Sequence, residues 1–599
     1  MTDKSSGTQG GADPLEQANE FARMAAQAQR IVNDFVARQQ KAGLVEPQGP
    51  FDVGQAFMEM TQKMMADPAR MLQAHMGLWE DYVSLWQHTA NRMMGAEPGE
   101  PVVKPAPDDR RFRAPEWQES HFFDFIKQSY LLTSNWFLSS VQNTEGLDEK
   151  SAQKLAFYTR QFMDALSPTN FAMSNPTVLQ ETLDSGGENL LNGLRNMLDD
   201  LERGGGKLDI RMSDKDDFLV GENIAVTPGK VVFQNDLIQL IQYAPATKTV
   251  HTRPMLVVAP WINKFYVLDL KPKNSLIRWA VEQGYTVFAI SWVNPDEQLA
   301  HKSFEDYMQE GPLAALDAIE AATGEKEVAA VGYCLGGTLL SATLAYMAAT
   351  DGKRITSATF LATLVDFAEP GELGLFIDEE QLASLEEMMH EQGYLDGSEM
   401  AATFNLLRAN DLIWSFVINN YLMGREPFPF DLLYWNADST RMPAAMHSFY
   451  LRQMYQENAL VQPGGITLNG VPIDLRKINV PTYVLAAHED HIAPWHACFK
   501  ATGLYSGKIR FVLGQSGHIA GVVNPPEGNK YGYWTGKLTK DEEPETWFKS
   551  AERVEGSWWS DWQRWQSRLA GKKVAAREPG SGKLDIIEDA PGSYVKVRV

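Results

Sequence analysis

Cysteine is nearly absent: two residues, Cys334 and Cys498, stand among 599. So few thiols exclude a disulfide framework and fit a reducing cytosol. No apolar run approaches the ~20 residues that span a bilayer. The opening stretch, MTDKSSGTQGGADPLEQ, has no apolar core of the kind a secretory signal needs. A cytoplasmic protein is expected, soluble or held at an apolar surface without crossing it. Positive charge is also short. The 54 Lys and Arg against 77 Asp and Glu leave a net charge of −23, which argues against a nucleic-acid partner. A small anionic ligand is not excluded, since a local basic pocket can sit in an acidic protein. No G-x-S-x-G occurs, so no serine competes for the role of elbow nucleophile. There is no internal repeat.

What is present suits a large globular protein. Hydrophobic residues make up 44% and charged residues 22%, enough for a sizeable core, and the length calls for two or more domains. Residues 1–206 read as a mainly helical region. Residues 1–13 are polar and Gly-rich and expected to be disordered; a helix follows from Pro14 to Gln40. Another opens at Asp67-Pro68, an N-cap residue followed by a residue suited to the first helical position. Its Leu72, Met76, Trp79, Val83 and Trp86 recur at helical spacing. This stretch is rich in Met, which suits either a face packed on the rest of the protein or an adaptable apolar surface. The Pro-rich residues 95–113 read as a linker. Helices are expected over Glu116–Val141 and Asp148–Leu166, and a last one up to about Glu202.

From 207 to 599 the pattern changes to α/β. The runs PMLVVAP, YTVFAIS, VAAVGYC, PTYVLAA and IRFVLG place apolar residues on consecutive positions, as strands buried on both faces do. Helical stretches alternate with them, so a mainly parallel sheet with helices on both sides is expected. Residues 367–456 turn helical and aromatic and read as a cap insertion, with Trp414, Tyr421, Phe428, Phe430, Tyr434 and Trp435 as candidate cap residues.

The chemistry centres on Gly332-Tyr333-Cys334-Leu335-Gly336-Gly337. It follows the strand VAAVG and precedes the helical TLLSATLAYMAA, the context of a nucleophile elbow in the α/β-hydrolase fold. The turn is so tight that a Cβ would clash at its glycines. The helix start behind the sulfur favours the reactive thiolate. In this fold the acid and then the histidine follow the nucleophile along the chain. PTYVLAA ends in His488-Glu489-Asp490-His491 and IRFVLG in Gln515-Ser516-Gly517-His518, so His518 is the expected base. Spacing does not choose between Glu489 and Asp490 as its partner. A metal site at His488–His491 lacks a second ligand cluster of recognisable spacing. Cys498 has no elbow around it and reads as a packed thiol; His447 and His496 read as packing or surface residues. The oxyanion hole is expected from the N–H of Leu335 and one from the loop after PMLVVAP, at Ile262.

Taken together, LSPTNF (166–171), PWINKFYVLDL (260–270), SWVNPD (291–296), GYCLGGTL (332–339), DLLYWNAD (431–438), EDHIAPW (489–495), GQSGHIAGVVNPP (514–526) and GSWWSDW (556–562) resemble the polyhydroxyalkanoate (poly-3-hydroxybutyrate) synthases. The resemblance implies an acyltransferase that joins (R)-3-hydroxyacyl units from coenzyme A thioesters into polyester and releases coenzyme A. It implies a covalent acyl-Cys334, and it selects Asp490 over Glu489 as the third member beside His518. The coenzyme A thioester is then the substrate, and no cofactor and no metal are expected. A single-subunit homodimer acting on short acyl groups at the surface of cytoplasmic polymer granules is also implied. The region before about Pro115 fits the family more loosely. Two other readings share these residues: a cysteine hydrolase of the same fold acting on a small ester or lactone, and a granule-associated structural protein.

Overall fold

The computed structural model describes residues 68–95, 99–142, 144, 148–213 and 217–598. The expected disorder of 1–13 and the helix from Pro14 to Gln40 lie outside them. The chain divides into two units. One comprises Met1–Met212 with Arg408–Phe428, the other Ser213–Leu407 with Pro429–Val599. The first boundary lies six residues beyond the expected 206/207. The segment 408–428, expected within the cap insertion, belongs to the helical unit.

In the helical unit, α1 is Pro68–Met93, α2 His121–Gln142, α3 Glu149–Ala165, α4 Pro176–Asp184 and α5 Glu188–Arg203. Asp148 caps α3 by accepting from Ser151 N, and Asn175 caps α4 by accepting from Thr177 N and Val178 N. Such caps satisfy N–H groups that have no partner inside the helix. Two apolar stripes run along α1. Leu85, wholly buried, and Tyr82, whose hydroxyl lies 2.8 Å from Thr133 Oγ1, form the packed one. The stripe read from the sequence is the other: Leu72, Met76, Trp79 and Trp86 are exposed, Trp79 at 63%, while its Val83 is half-buried.

Residues 99–113, read as linker, contain no helix or strand and lie against α2 and α3. Gln128 Oε1 accepts from Val102 N, Phe112 is buried, and Arg111 pairs with Asp109 and Asp164. The segment 408–428 is held on α5 by matching small and polar side chains. Asn189 and Asn196 donate to the carbonyls of Leu422 and Asn420, and Tyr421 OH donates to Asp200 Oδ2 at 2.6 Å. A Cβ on Gly193 would stand 1.8 Å from Tyr421 O, so only glycine allows this approach.

Among the described residues of the second unit, eleven strands form one sheet. They are β1 Gly229–Gln234, β2 Ile238–Tyr243, β3 Met255–Val258, β4 Val287–Trp292, β5 Val328–Tyr333, β6 Ile355–Leu361, β7 Thr482–Ala487, β8 Ile509–Gly514, β9 Gly532–Thr535, β10 Glu552–Glu555 and β11 Glu588–Asp589. Their order is β10-β9-β8-β7-β6-β5-β3-β4-β2-β1-β11. Strands β8, β7, β6, β5, β3 and β4 are mutually parallel, and antiparallel strands extend both edges. All five strands read from the sequence are in the parallel block. Every residue of β3, β4, β5 and β7 is buried, which explains their unbroken apolar runs: both faces are covered. Helix α6, Leu335–Ala349, leaves the end of β5. The rest of the cap region, without 408–428, supplies helices Glu379–Gln392, Gly397–Leu407, Asp431–Ala437 and Ala444–Tyr450.

Candidate active site

Parallel strands all finish at the same sheet edge, and that is how three distant residues meet. Tyr333 of β5 is level with Leu361 of β6, Leu361 with Leu485 of β7, and Ala487 with Gly514 of β8. Cys334, Asp490 and His518 therefore leave β5, β7 and β8 on one edge.

Cys334 has φ +50° and ψ −123°, a conformation that is costly for a residue with a Cβ. It is held by its N–H donating to Leu361 O at 2.9 Å and its carbonyl accepting from Gly337 N at 2.9 Å. The glycines make the turn possible. A Cβ on Gly332 would lie 2.5 Å from Gly337 Cα, and one on Gly336 would lie 2.1 Å from Val258 O. The second contact also presses the start of α6 against the end of β3, where the loop carrying Ile262 begins. Leu335, the first residue of α6, is buried, and Ile262 is half-buried. The half-buried Cys334 thiol sits at the N-terminus of α6, the positive end of the helix dipole.

His518 Nδ1 lies 2.7 Å from Asp490 Oδ2, and the imidazole is within electrostatic reach of Cys334. The carboxylate is fully buried, and its Oδ1 accepts from Ile492 N and Ala493 N, each at 2.9 Å. Glu489 is exposed, and of the two carboxylates it is Asp490 that lies against His518. The His518 ring stacks on Tyr333 at 5.4 Å between centroids. Burial opposes a charge on His518. The charges of Asp490 and Cys334, with the hydrogen bond to Asp490, outweigh it and raise its pKa well above that of a free imidazole. An imidazole placed between a carboxylate and a thiol has the arrangement of a base beside a nucleophile.

The other candidates go elsewhere. Exposed His488 stands among Trp534 and Phe548, and half-buried His496 bonds to Glu545. His447 is buried, and burial lowers its pKa to about 4. The expected cap aromatics divide: Trp414, Tyr421 and Phe428 belong to the helical unit, and Phe430 is exposed. Tyr434 and Trp435 are buried in the second unit's core. Sequence reasoning missed the aromatic side chains that are near the thiol. Tyr450 and Tyr455 lie within electrostatic reach of Cys334 and pack with Phe367. Their spacing in a helical stretch carries no signal distinct from ordinary core packing.

Residues 108–280 match the family model described as the N-terminus of poly-beta-hydroxybutyrate polymerase (PhaC), and residues 250–525 match the alpha/beta hydrolase fold. The chain is 51% identical over 548 residues to the poly(3-hydroxyalkanoate) polymerase of Methylorubrum extorquens, covering 91% of this chain and 90% of that one. The chain belongs to the poly(3-hydroxyalkanoate) polymerases. It is also 48% identical to the poly(3-hydroxyalkanoate) polymerase subunit PhaC of Rhizobium meliloti (strain 1021) over 98% of this polymerase and 96% of that chain. With the subunit PhaC of Cupriavidus necator it shares 42% identity over 89% of each chain. The Rhizobium match takes in the region before Pro115, which resembled the family only loosely by its motifs. In this polymerase the second cysteine is a packing residue. Cys498 is wholly buried, its thiol donates to Ala493 O at 3.4 Å, and burial together with the nearby negative charges raises its pKa well above the usual thiol value. Cys498→Ser keeps a donor for that carbonyl. It is expected to retain thiol release within about twofold and to lose about 1 kcal/mol of stability. Steady-state rates and a thermal melt check both; a folded but inactive variant contradicts the assignment.

Proposed function

We propose that this polymerase lengthens its polyester through an acyl thioester on Cys334, with His518 and Asp490 moving and holding the proton. The single observation that carries the reading is the continuous line from the strained Cys334 elbow through His518 to the buried Asp490. The Cys334 thiolate attacks the thioester carbonyl of an (R)-3-hydroxyacyl-coenzyme A. The carbonyl oxygen takes up negative charge, for which the N–H groups of Leu335 and Ile262 are the proposed donors. Collapse expels coenzyme A as a thiolate, which takes the proton from His518. The two thiols have similar basicity, so acyl exchange is near energetic balance. A serine ester would be a poorer donor for repeated transfer.

In elongation, neutral His518 removes the proton of a 3-hydroxyl as that oxygen attacks the acyl-Cys334 carbonyl. An ester forms and the Cys334 thiolate is regenerated. Asp490 orients His518 and stabilises the imidazolium in both halves. Water in place of the hydroxyl would make the same site a hydrolase of small esters or lactones. Incubation with 3-hydroxybutyryl-coenzyme A decides between them. Insoluble polymer with free thiol supports polymerisation; free hydroxy acid alone supports hydrolysis.

The proposal extends to place. No helix among the described residues is long and apolar enough to cross a membrane. The uncovered stripe of α1, Leu72, Met76, Trp79 and Trp86, supports contact with an apolar surface such as a polymer granule. Trp79→Glu with Trp86→Glu is expected to lower the fraction that co-sediments with granules severalfold while leaving soluble thiol release intact. An unchanged fraction removes α1 from that role. A homodimer is proposed as well, on the family resemblance, and sedimentation velocity tests it.

A further inference from the structure

The loop that carries Ile262 is tied down on both sides, and one of its ties is a buried lysine with no part in the proton line. Before Ile262, Thr440 Oγ1 donates to Trp261 O at 2.5 Å. After it, Asn263 bridges to Ser439, and Trp435 Nε1 donates to Lys264 O at 2.7 Å. Lys264 itself is only 3% exposed. Its ammonium turns away from the elbow's loop and donates to Val595 O at 3.2 Å and Val597 O at 2.5 Å. The strand-like end at Val597 is in turn bonded by Asn294 Nδ2 at 3.3 Å, and Arg598 stands over Tyr434 and 4.0 Å from Asp438. Tyr266 donates to the other oxygen of Asp438 at 2.8 Å.

A cation is expensive to bury, and one closed mainly by peptide carbonyls is held in one place by their geometry. Lysine supplies three donors on a long stem, so a single side chain spans from the loop to residues more than 300 positions later. The function of such a brace follows from what hangs on the loop. An oxyanion donor works only if its N–H already points to where the charge will appear; a displacement of about 1 Å costs on the order of 10²-fold. We propose that Lys264 is a positioning residue: clamped by the carbonyls of Val595 and Val597, it fixes the loop so that the Ile262 N–H meets the oxyanion of the Cys334 adduct. This rests on the thioester route above.

The test separates oxyanion stabilisation from nucleophilicity. Acylation of Cys334 by 3-hydroxybutyryl-coenzyme A passes through an oxyanion; alkylation of Cys334 by iodoacetamide does not. Both rates are read by mass on the Cys334 peptide of the full chain. Lys264→Met is expected to slow acylation about 100-fold and to leave alkylation, and its pH profile, within about threefold of wild type. Acylation within threefold overturns the proposal, and so does an equal fall in both rates, which would make Lys264 a support of the His518–Cys334 pair or of the fold. Should Lys264→Met not fold, a chain lacking Val597–Val599 removes one of the clamping carbonyls and is judged by the same two rates. Wild type run alongside keeps the two ideas apart. If wild type carries no acyl group on Cys334, the thioester route fails and the brace with it; if wild type acylates and both variants match it, only the brace fails.

Discussion

Cys334→Ser is expected to lower thiol release from 3-hydroxybutyryl-coenzyme A by roughly 10³-fold or more, with the fold intact. The turn tolerates the change because its shape is set by Gly332 and Gly336, whose missing Cβ atoms would collide with Gly337 and Val258. Serine is nearly the size of cysteine and inherits the same φ of +50°. What it does not inherit is acidity. A hydroxyl is intrinsically far less acidic than a thiol, so the same histidine and the same helix start do much less to turn serine into a nucleophile. Any ester that does form is also a poorer acyl donor for the next transfer. Thiol release at near wild-type rate by the serine variant would remove Cys334 from the mechanism. Circular dichroism and a thermal melt confirm that lost activity is not lost structure.

His518→Gln and Asp490→Asn are expected to fail at different steps. His518→Gln removes the hydrogen-bonded base beside Cys334, so acylation itself should fall by roughly 10²–10⁴-fold. Asp490→Asn acts through orientation. Oδ1 of Asp490 accepts from the N–H groups of Ile492 and Ala493, so an asparagine must place its carbonyl oxygen there. Its NH₂ group then faces His518 Nδ1, which must accept, and the ring proton moves to Nε2 on the side of Cys334. Histidine in that tautomer cannot take a proton from either nucleophile. A thiol is far more acidic than a hydroxyl, and the Nε2–H that now faces it still donates to a thiolate formed by solvent, so acylation falls but persists. A hydroxyl does not ionise in that way, so elongation stops. The expected product is acylated protein carrying short chains, with little polymer. Mass spectrometry after a brief reaction, beside steady-state thiol release, measures both. Long polymer at near wild-type rate, or no acylation at all, contradicts this division.

Legibility followed unbroken apolar runs. The five strands read from consecutive apolar residues all lie in the parallel block of the sheet. The strands that were not read have other patterns. Ile355–Leu361 breaks its apolar residues with Thr356, Ser357 and Thr359, Gly229–Gln234 and Ile238–Tyr243 carry Lys and Gln, and Glu552–Glu555 is mostly charged. The first of these lies between β5 and β7, and its Leu361 accepts the backbone bond that holds Cys334. The stripe on α1 was visible as a period, but not its environment. Two apolar stripes exist on that helix, and only packing reveals that Leu85 and Tyr82 face inward while Trp79 and Trp86 do not.

The site was legible where chemistry demands a local pattern. An elbow needs glycines at fixed offsets from its nucleophile, and partner residues must follow strand ends, so Cys334, His518 and the pair Glu489–Asp490 could be named from order along the chain. Direction could not. Adjacent residues after a strand point to different sides, and the fold buried Asp490 against Ile492 and Ala493 while leaving Glu489 in solvent. Long-range contacts were equally closed to sequence. The Arg408–Phe428 segment leaves the cap region for α5 because Gly193 admits its backbone. Lys264 reaches Val595 and Val597 across more than 300 positions. By itself the sequence determined which residue types stand at the turns that chemistry requires, because those constraints act within a few residues. Which neighbour faces inward, and which distant carbonyl closes a buried charge, only the tertiary structure decided, because burial and partnership are properties of the packed chain.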